Sequence, residues 1–549
     1  MNQAKALEAL KAVVGDRWFF DKEDEIKKRA HVSIPSSKAP LAFIYPGNAD
    51  EIKQILAIAN EHTLPLWPCS RGKNWGYGSA TAVRDGTVIV MLDRLNKIIH
   101  VDPELAYAVV EPGVTYRQIH QYLRDHNINL ICDSIDGTPD ASVLGNALER
   151  GHGGTNYGDH FANLCGIEAI LANGETIQTG GGPKDCHTLH TYKWGVGPYT
   201  EGLFSQGNFG IVTKVGMWLM PIKPKCVSVL LEIANDEMLG EAINKLRTLQ
   251  LDGIIESKLM IGNDYFSFSL SIDYPHHLCE EGYLGDTGLA SLREQYKVSC
   301  WSASAAIYGD KDEIRYKQKR IKRELSAVGK LMFVGDGTTR FIENMLEESK
   351  KLTPENKLLA FCGRLAEKAT HKPLRFFEPL IAIHNHHKGI PCDFFVENAL
   401  FGDPACYVEI DQKRELNLAA NDKGKMWFAP LVPMNSHHVL HVLNGCKALF
   451  QEHKFDFGAG LLLFNPRTAI AISRISFNKK DPEHAKRAMA LFRALHKWCI
   501  QEGYQVYRTN VAHMEEVIDC SPTFKEFLNL LRHGVDPSNI IAPGKYGVG

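Results

Sequence analysis

The chain contains 549 residues, of which 44% are hydrophobic and 23% charged, and its formal net charge is −2 at pH 7. This length exceeds what one hydrophobic core usually organises, so two or three compact units are expected. The balanced charge argues against nucleic acid as a partner, and no apolar run is long enough to cross a membrane. The first residues also lack the apolar core of a signal peptide, so a cytoplasmic protein is expected.

The first half of the chain predicts an α/β ligand-binding unit, because helix-like and strand-like segments alternate densely over residues 39–221. A helix is predicted over 49–62 and a strand over 87–92, with the loop 65–78 between them. That loop combines three glycines with the cations Arg71 and Lys73, which is the composition of a phosphate-binding loop. Taken alone, such a loop is more often an ordinary surface turn.

Further along this unit, paired strands are predicted over 98–101 and 107–110, and Thr115 is a suitable N-cap for the next helix. The dipeptide Asn173-Gly174 between two apolar runs predicts a β-hairpin. An apolar strand over 211–220 closes the region.

Beyond Pro221 the segments become longer and amphipathic, which indicates a second domain. The pattern predicts strands over 227–233, 265–272 and 299–308, and helices over 310–331 and 346–351.

The last part of the chain has clear helix boundaries. Asp481-Pro482 predicts the start of a helix that ends at Gly503, and a β-like run follows over 504–510. Ser521-Pro522 predicts the start of another helix, which ends near Gly534.

The cysteines and histidines do not indicate a metal site. Thirteen cysteines are scattered without a C-x-x-C pair, which predicts reduced thiols. The histidines at 384, 386 and 387, and those at 437 and 441, lack a convincing further ligand, so solvated or packing histidines are expected rather than zinc ligands.

Several blocks of sequence, in one order, resemble the vanillyl-alcohol oxidase and p-cresol methylhydroxylase family of FAD enzymes. These blocks are residues 65–78, 109–116, 142–151, 156–161, 202–212, 426–430, 507–508 and 541–545. The resemblance implies an α+β fold with an FAD-binding α/β domain over 1–225, whose core is about 39–221. It also implies a cap domain over 226–500, with a sheet covered by helices, and a segment over 501–549 that returns to the FAD domain.

The resemblance also implies which residues bind FAD. They are Ser70, Arg71, Gly72, Lys73, Asn74, Trp75, Gly76, Ser142, Gly145, Asn146, Gly151, Asp159, His160, Gly210, Ile211, Val212, Arg508 and Lys545. Some relatives attach FAD through a histidine, but Lys425 stands at that position here, so dissociable FAD is expected.

The family oxidises the benzylic carbon of para-substituted phenols, and the residues for that chemistry have counterparts here. A phenol with a pKa of about 10 must be bound as its anion, which a guanidinium and phenolic hydroxyl donors favour. The resemblance assigns this role to Tyr77, Tyr507 and Arg508. It assigns the catalytic aspartate to Asp136, with Asp140 as the alternative.

Two departures from the family pattern predict a pocket that is differently shaped and roomier. Residues 467–471 lack a pair of histidines, and Gly154 stands where a pocket tyrosine is expected. The first hypothesis is a flavin enzyme that takes a hydride from the benzylic carbon of a small aromatic substrate, a para-substituted phenol, through a quinone methide. The electrons are expected to pass to a cytochrome or another acceptor. The alternatives are oxidation of a non-phenolic alcohol or hydroxy acid, and a non-catalytic flavin-binding subunit. A homodimer is expected.

Overall fold

The computed structural model describes residues 2–35, 38–183, 185–351, 355–401, 403, 406–410 and 413–549. Its first elements are α1 (Asn2–Val14), β1 (Phe19–Phe20), α2 (Glu23–Arg29), β2 (Ala42–Ile44), α3 (Ala49–His62), β3 (Leu66–Cys69) and β4 (Val88–Met91). The strands form a sheet in the order β1-β2-β4-β3, in which β2, β4 and β3 are parallel. Helix α3 has the predicted bounds because Asn48 caps its first turn and its apolar stripe is buried against this sheet.

A second sheet follows. The elements are β5 (Ile98–Asp102), β6 (Tyr107–Val110), α4 (Tyr116–Asp125), β7 (Leu130–Ile131), α5 (Val143–Leu148), β8 (Leu164–Ile170), β9 (Thr176–Gln178), β10 (Ile211–Trp218) and β11 (Met220–Pro221). Five of the strands pair antiparallel in the order β5-β6-β10-β8-β9, and β7 pairs with β11. The predicted strand pair, the Thr115 cap and the hairpin at Asn173-Gly174 are confirmed.

The third sheet is the largest of those described, and it lies in the region for which a cap domain is predicted. The elements up to its fourth strand are β12 (Lys225–Ile233), α6 (Glu237–Leu251), β13 (Leu259–Asn263), α7 (Asp264–Ser269), α8 (Gly285–Tyr296), β14 (Trp301–Gly309), α9 (Lys311–Leu325) and β15 (Gly329–Val334). Next come α10 (Asp336–Lys350), α11 (Lys357–Thr370), α12 (Glu378–His387), α13 (Phe394–Glu397), β16 (Tyr407–Ile410) and β17 (Lys413–Leu416).

The chain finishes with β18 (Lys423–Phe428), β19 (Pro430–Pro433), α14 (Ser436–Glu452), β20 (Gly458–Asn465), β21 (Thr468–Asn478), α15 (Pro482–Gln501), β22 (Gln505–Val506) and α16 (Pro522–Val535). The large sheet has the order β15-β12-β14-β13-β20-β21-β19-β22, and β18 also pairs with β21. Short 3₁₀ turns lie at Asp16–Trp18, Glu201–Phe204, His276–Leu278, Leu374–Phe377 and Leu418–Ala420. This mixture of helices and mainly antiparallel sheets confirms the α+β class.

The C-terminal segment connects the large sheet to the first one. Strand β22 pairs with β19, and the N–H of Val511 then donates to the carbonyl of Tyr77 at 2.9 Å. Further on, Leu66 and Ile541 form a parallel bridge. These contacts bring residues near both ends of the chain to one cavity. The predicted domain boundaries stay a prediction.

Four secondary-structure predictions were wrong or partly wrong. The helix predicted over 346–351 is only the last part of α10, which begins at Asp336. The strand predicted over 265–272 is the helix α7, because the side chain of Asn263 accepts from the N–H of Phe266 and starts a helical turn. The helix predicted over 310–331 ends at Leu325, and the chain enters β15 at Gly329. Of the β-like run over 504–510, only Gln505–Val506 pairs with a neighbouring strand.

Two further observations concern membrane and redox predictions. Among the residues that the structure covers, none of the helices is long and apolar enough to span a bilayer. All thirteen cysteines are unpaired, as predicted.

Candidate active site

A cavity of about 660 Å³ lies between the loop 65–78 and the large sheet. Its size is typical of a cofactor and substrate site. Most of the predicted cofactor residues line it. These are Ser70, Arg71, Gly72, Lys73, Asn74, Trp75, Ser142, Gly145, Asn146, Gly151, Gly210, Ile211, Val212, Arg508 and Lys545.

The structure places the other three predicted cofactor residues behind the cavity wall. Gly76 donates its N–H to Ser33 at 2.7 Å, and the carboxylate of Asp159 accepts from the N–H of Ala162. His160 is buried between Asn146, Tyr116 and Asp133. Each of them therefore supports the wall rather than facing the cavity.

The loop 65–78 is shaped by its glycines. Gly72, Gly76 and Gly78 have φ values of +62°, +83° and +140°, which side chains rarely adopt. A Cβ atom on Gly78 would also lie 2.6 Å from Val511. The loop can therefore keep this path only with glycine at these positions.

The backbone of this loop can bind an anion. Within the described residues, the N–H groups of Gly72, Lys73 and Asn74 donate no hydrogen bond, and all three residues line the cavity. Successive free N–H groups form a concave site for phosphate. Because FAD carries a diphosphate, the residues present fit this cofactor.

The two cations of the loop are already paired. Lys73 Nζ lies 2.8 Å from Glu415, and Arg71 lies 3.3 Å from both Glu415 and Asp93. Burial raises the pKa of Glu415, but Lys73 and then Arg71 more than offset this and hold it below its usual range. The backbone N–H groups, rather than free positive charge, are therefore the available donors for a diphosphate.

The structure brings together the three residues predicted to bind a phenolate. Tyr77, Tyr507 and Arg508 are only 7–8% exposed, and all three line the cavity. Arg508 Nη1 donates to the Tyr507 hydroxyl at 3.2 Å, and its guanidinium carbon lies 4.2 Å from the ring centre of Tyr77. Its Nη2 donates to Asn74 of the glycine loop. Arg508 thus connects the loop to both tyrosines.

The electrostatics of this cluster favour a bound anion. Burial raises the pKa of Tyr77 well above its ordinary value, so this hydroxyl stays protonated and can donate. Burial lowers the pKa of Arg508, but the tyrosine oxygens more than compensate and leave it raised, so the guanidinium keeps its charge. Arg508 Nε is buried and lacks a hydrogen-bond acceptor in the described chain.

The structure distinguishes the two candidate aspartates. Asp136 lines the cavity, and its carboxylate makes no hydrogen bond to the described residues. Asp140 points away and forms two bonds to Arg117, at 2.8 and 3.1 Å. Asp140 is therefore committed to an ion pair, whereas Asp136 is available to a substrate.

A histidine that the sequence interpretation missed faces Asp136. His386 of α12 lines the cavity, and a Cβ atom on Gly154 would lie 2.6 Å from its Nε2. The imidazole thus occupies space that Gly154 leaves open, so the pocket is less roomy there than predicted. Burial lowers the pKa of His386, and the carboxylate of Asp136 opposes this.

The other two histidines of that group pack inside the cap, as predicted. His384 Nδ1 and His387 Nδ1 each lie within 2.9 Å of the Ser228 hydroxyl. Among the residues that are described, no group of side chains is arranged to hold a metal ion.

Five further cations of the described residues line the cavity, and the sequence assigned a binding or catalytic role to none of them. Two of these cations are Lys330 and Lys372. Of the other three, Lys258 directly precedes β13, Lys425 lies on β18 and Arg474 lies on β21. Burial lowers the pKa of Lys258 to about 7, with the carboxylates of Asp133, Asp159 and Asp136 opposing the shift. No motif marks these residues, because their proximity depends on strand pairing.

Comparisons with known proteins agree with this geometry. A family profile described as FAD binding domain matches residues 40–180. The chain is 30% identical to the 1'-carboxy-chondrochloren decarboxylase of Chondromyces crocatus, over 99% of this chain and 97% of that protein. It is 29% identical to the hydroxylating 4-cresol dehydrogenase flavoprotein subunit of Pseudomonas putida, over 99% and 95%.

Two solved structures share the fold across the whole chain. A p-cresol methylhydroxylase with bound substrate superposes with a TM-score of 0.86 at 27% identity, covering 100% of this chain and 97% of that one. A 4-ethylphenol oxidase from Gulosibacter chungangensis, in complex with isoeugenol, superposes with a TM-score of 0.85 at 24% identity, with the same coverage.

Proposed function

Because the chain belongs to the vanillyl-alcohol oxidase and p-cresol methylhydroxylase family of FAD enzymes, we propose that it oxidises the benzylic carbon of a para-substituted phenol. The observation that carries the proposal is the buried cluster of Tyr77, Tyr507 and Arg508 in the cavity wall. A permanent cation with two phenolic hydroxyls beside it stabilises a phenolate by charge-assisted hydrogen bonds.

Binding the phenolate prepares the substrate for oxidation. The oxyanion pushes electron density into the ring, so the benzylic C–H bond breaks heterolytically more easily and leaves a neutral quinone methide. Bound FAD, which residues 70–75 and 142–146 would hold, supplies the acceptor for the hydride. Because Lys425 stands at the position where some relatives attach the flavin, we propose that this FAD is not covalently bound.

Asp136 is proposed to act after the hydride has left. Water adds to the methide carbon, its proton passes to the Asp136 carboxylate, and the ring oxygen regains its negative charge. The product is a 4-hydroxybenzyl alcohol. The nearby side chains of His386 and Lys258 line the same part of the cavity and can relay the proton onward.

The test is anaerobic mixing of the FAD-loaded enzyme with a 4-alkylphenol and with its O-methyl ether. We expect the phenol to bleach the flavin band and the ether, which cannot ionise, to leave it unchanged. Arg508→Ala should slow bleaching by at least about tenfold, since a charged hydrogen bond contributes about 1.5–3 kcal/mol. Arg117→Ala, outside the cavity, is the matched control. Equal bleaching by phenol and ether would contradict the proposal.

A second candidate is oxidation with loss of carbon dioxide, and Lys258 favours it. This lysine lines the cavity within electrostatic range of Asp136, where its amine could bind a substrate carboxylate. The relative from Chondromyces crocatus is named a decarboxylase. After hydride loss from the benzylic carbon, the bond from the adjacent carbon to a carboxylate can break. Its electrons form the C=C bond, and the phenolate and CO₂ are released. Anaerobic CO₂ release from 3-(4-hydroxyphenyl)propanoate, in proportion to flavin bleached, tests this candidate.

The electron acceptor is a further proposal. The Pseudomonas putida relative is named a flavoprotein subunit, which supports a protein partner such as a cytochrome for this chain as well. A homodimer stays a prediction.

A further inference from the structure

A second group of basic side chains lines the cavity, on strands that do not include Arg508. Arg474 and Lys425 line the cavity and are 3% and 5% exposed. They belong to the paired strands β18 and β21, in which Trp427 is opposite Arg474 and Lys425 is opposite Ser476. Lys425 and Arg474 are thus diagonal neighbours on one face of the sheet.

Arg474 has donors that the described protein does not use. Its Nη1 donates to the carbonyl of Ala399 at 2.8 Å, but Nε and Nη2 are buried without a hydrogen-bond acceptor. The rings of Tyr265 and Phe266 lie 5.1 and 5.5 Å from the guanidinium carbon. Aromatic rings accommodate a guanidinium but leave its in-plane N–H donors available.

No carboxylate of the described residues forms an ion pair with either cation. Asp456 is within electrostatic range of Arg474. Its carboxylate already accepts from the Tyr274 hydroxyl at 2.6 Å and from the N–H of Leu284 at 2.7 Å. Lys425 Nζ lies 4.0 Å above the Trp427 ring. Burial lowers the pKa of Lys425 well below its ordinary value and Arg474 lowers it further. A bound anion would offset both the burial of the Lys425 ammonium and its repulsion by Arg474.

The position of these basic side chains relative to the phenolate cluster follows from the strand. Ile470, Ile472 and Arg474 point to the same side of β21, and Ile470 packs against Tyr507. Four residues of extended strand span roughly 13 Å. Asp136 is within electrostatic range of both ends, because its carboxylate raises the pKa of Tyr77 and that of Lys425. This length of strand is longer than a phenol ring, which leaves room for a para side chain of several carbons.

We infer that Arg474, with Lys425, binds a carboxylate at the far end of the substrate's para side chain. This inference rests on the proposed function for the position of the ring. The preferred substrates are then ω-(4-hydroxyphenyl)alkanoates, held at the phenolate by Arg508 and at the carboxylate by Arg474, with the benzylic carbon beside Asp136.

The test uses ligands that the enzyme cannot oxidise, so that binding is separate from turnover. Dissociation constants of ω-(4-methoxyphenyl)alkanoates and of the matching 4-alkylanisoles are measured on the FAD-loaded enzyme, by flavin absorbance and by calorimetry. We expect the acid to bind about ten- to hundredfold more tightly than the neutral compound. The advantage should be largest at about three to five methylene groups, because the strand from Ile470 to Arg474 spans roughly 13 Å.

Variants assign the effect to the proposed site. Arg474→Met should remove most of the advantage of the acid, and Lys425→Met should reduce it. Lys330→Met is the matched control, since Lys330 is an exposed cation that also faces the cavity, but from β15 at the opposite edge of the sheet. The same loss in all three variants would indicate only diffuse attraction and would overturn the inference.

The outcomes separate this inference from the proposed function. Phenols that bleach the flavin, without any preference for acids in the wild-type enzyme, would overturn the carboxylate site and leave the function intact. Arg474-dependent binding of the acids, without bleaching by any phenol, would support the site and contradict the function. If Arg474→Met does not fold, Lys425→Met and the chain-length series in the wild type decide.

Discussion

The contrast between Asp136 and Asp140 gives the sharpest test of the proposed chemistry, because the two residues lie in one loop and differ only in their surroundings. Asp136→Asn removes a carboxylate that faces the cavity and makes no hydrogen bond to the described residues, so the free energy of unfolding should hardly change. Asp140→Asn removes a carboxylate with two bonds to Arg117, whose side chain is 53% exposed while that of Asp140 is 33% exposed. An exposed pair of this kind stabilises by about 0.2–1 kcal/mol.

The expected effects on catalysis are opposite to those on stability. Asp136→Asn should slow hydration of the quinone methide by about 10²–10⁴-fold, which is the usual contribution of a positioned base. Asp140→Asn should leave that step at the wild-type rate. Anaerobic stopped-flow absorbance follows flavin reduction and quinone-methide decay separately, and chemical denaturation measures stability. If both variants slowed decay equally, or if only Asp140→Asn did, our assignment of the base would be refuted.

Three other predictions follow from the cavity wall. Because burial lowers the pKa of Lys258 to about 7, the unfolded chain binds a proton between pH 7 and 10.5 that the native protein lacks, so the unfolding free energy should rise with pH. In Lys258→Met, the increase in unfolding free energy from pH 6 to pH 9, measured by urea denaturation, should be smaller by roughly 1–3 kcal/mol, allowing for screening by the open cavity. The same increase in the wild type and the variant would contradict this prediction. Gly154→Ala should destabilise by about 1–3 kcal/mol through its clash with His386, and adding His386→Ala should restore the melting temperature. Glu415→Gln should free Lys73, now 2.8 Å away, and tighten FAD binding about tenfold in a fluorescence titration of the apoprotein; weaker binding would mean that Glu415 orders the loop instead.

Local features of the fold were predictable because they depend on neighbouring residues. The bounds of α3 follow from the Asn48 cap and an apolar stripe, and the hairpin at Asn173-Gly174 follows from turn chemistry. The residues of α7 illustrate the limit of this approach. Their closely spaced aromatic side chains are typical of a strand. The hydrogen bond accepted by the N-cap residue Asn263 and the burial of two of these aromatic side chains in one apolar cluster favour a helix instead.

The predicted site residues fall into two groups. Those within one motif, such as Tyr77 and the neighbouring pair at 507–508, could be named because the resemblance to the family assigns them by their place in a shared motif. His386 and Arg474 could not, because they reach the cavity through the placement of α12 and the pairing of β21 with its neighbours. A single sequence gives no measure of such pairing across hundreds of residues.

Among the described residues, the unpaired positive charge of the cavity does not lie at the glycine loop, as the sequence suggested, and its actual position affects which substrates should bind. Arg71 and Lys73 suggested free positive charge at the glycine loop, but Glu415 and Asp93 neutralise them there. Lys425 and Arg474 form no ion pair within the described chain, and they lie instead on β18 and β21 of the large sheet. Keeping a buried guanidinium without an acid costs stability unless a ligand supplies the negative charge. A neutral alkylphenol would leave that cost in place, whereas a substrate with an anion at each end would remove it, which is why we expect selectivity to depend on the side chain and reactivity on the phenol.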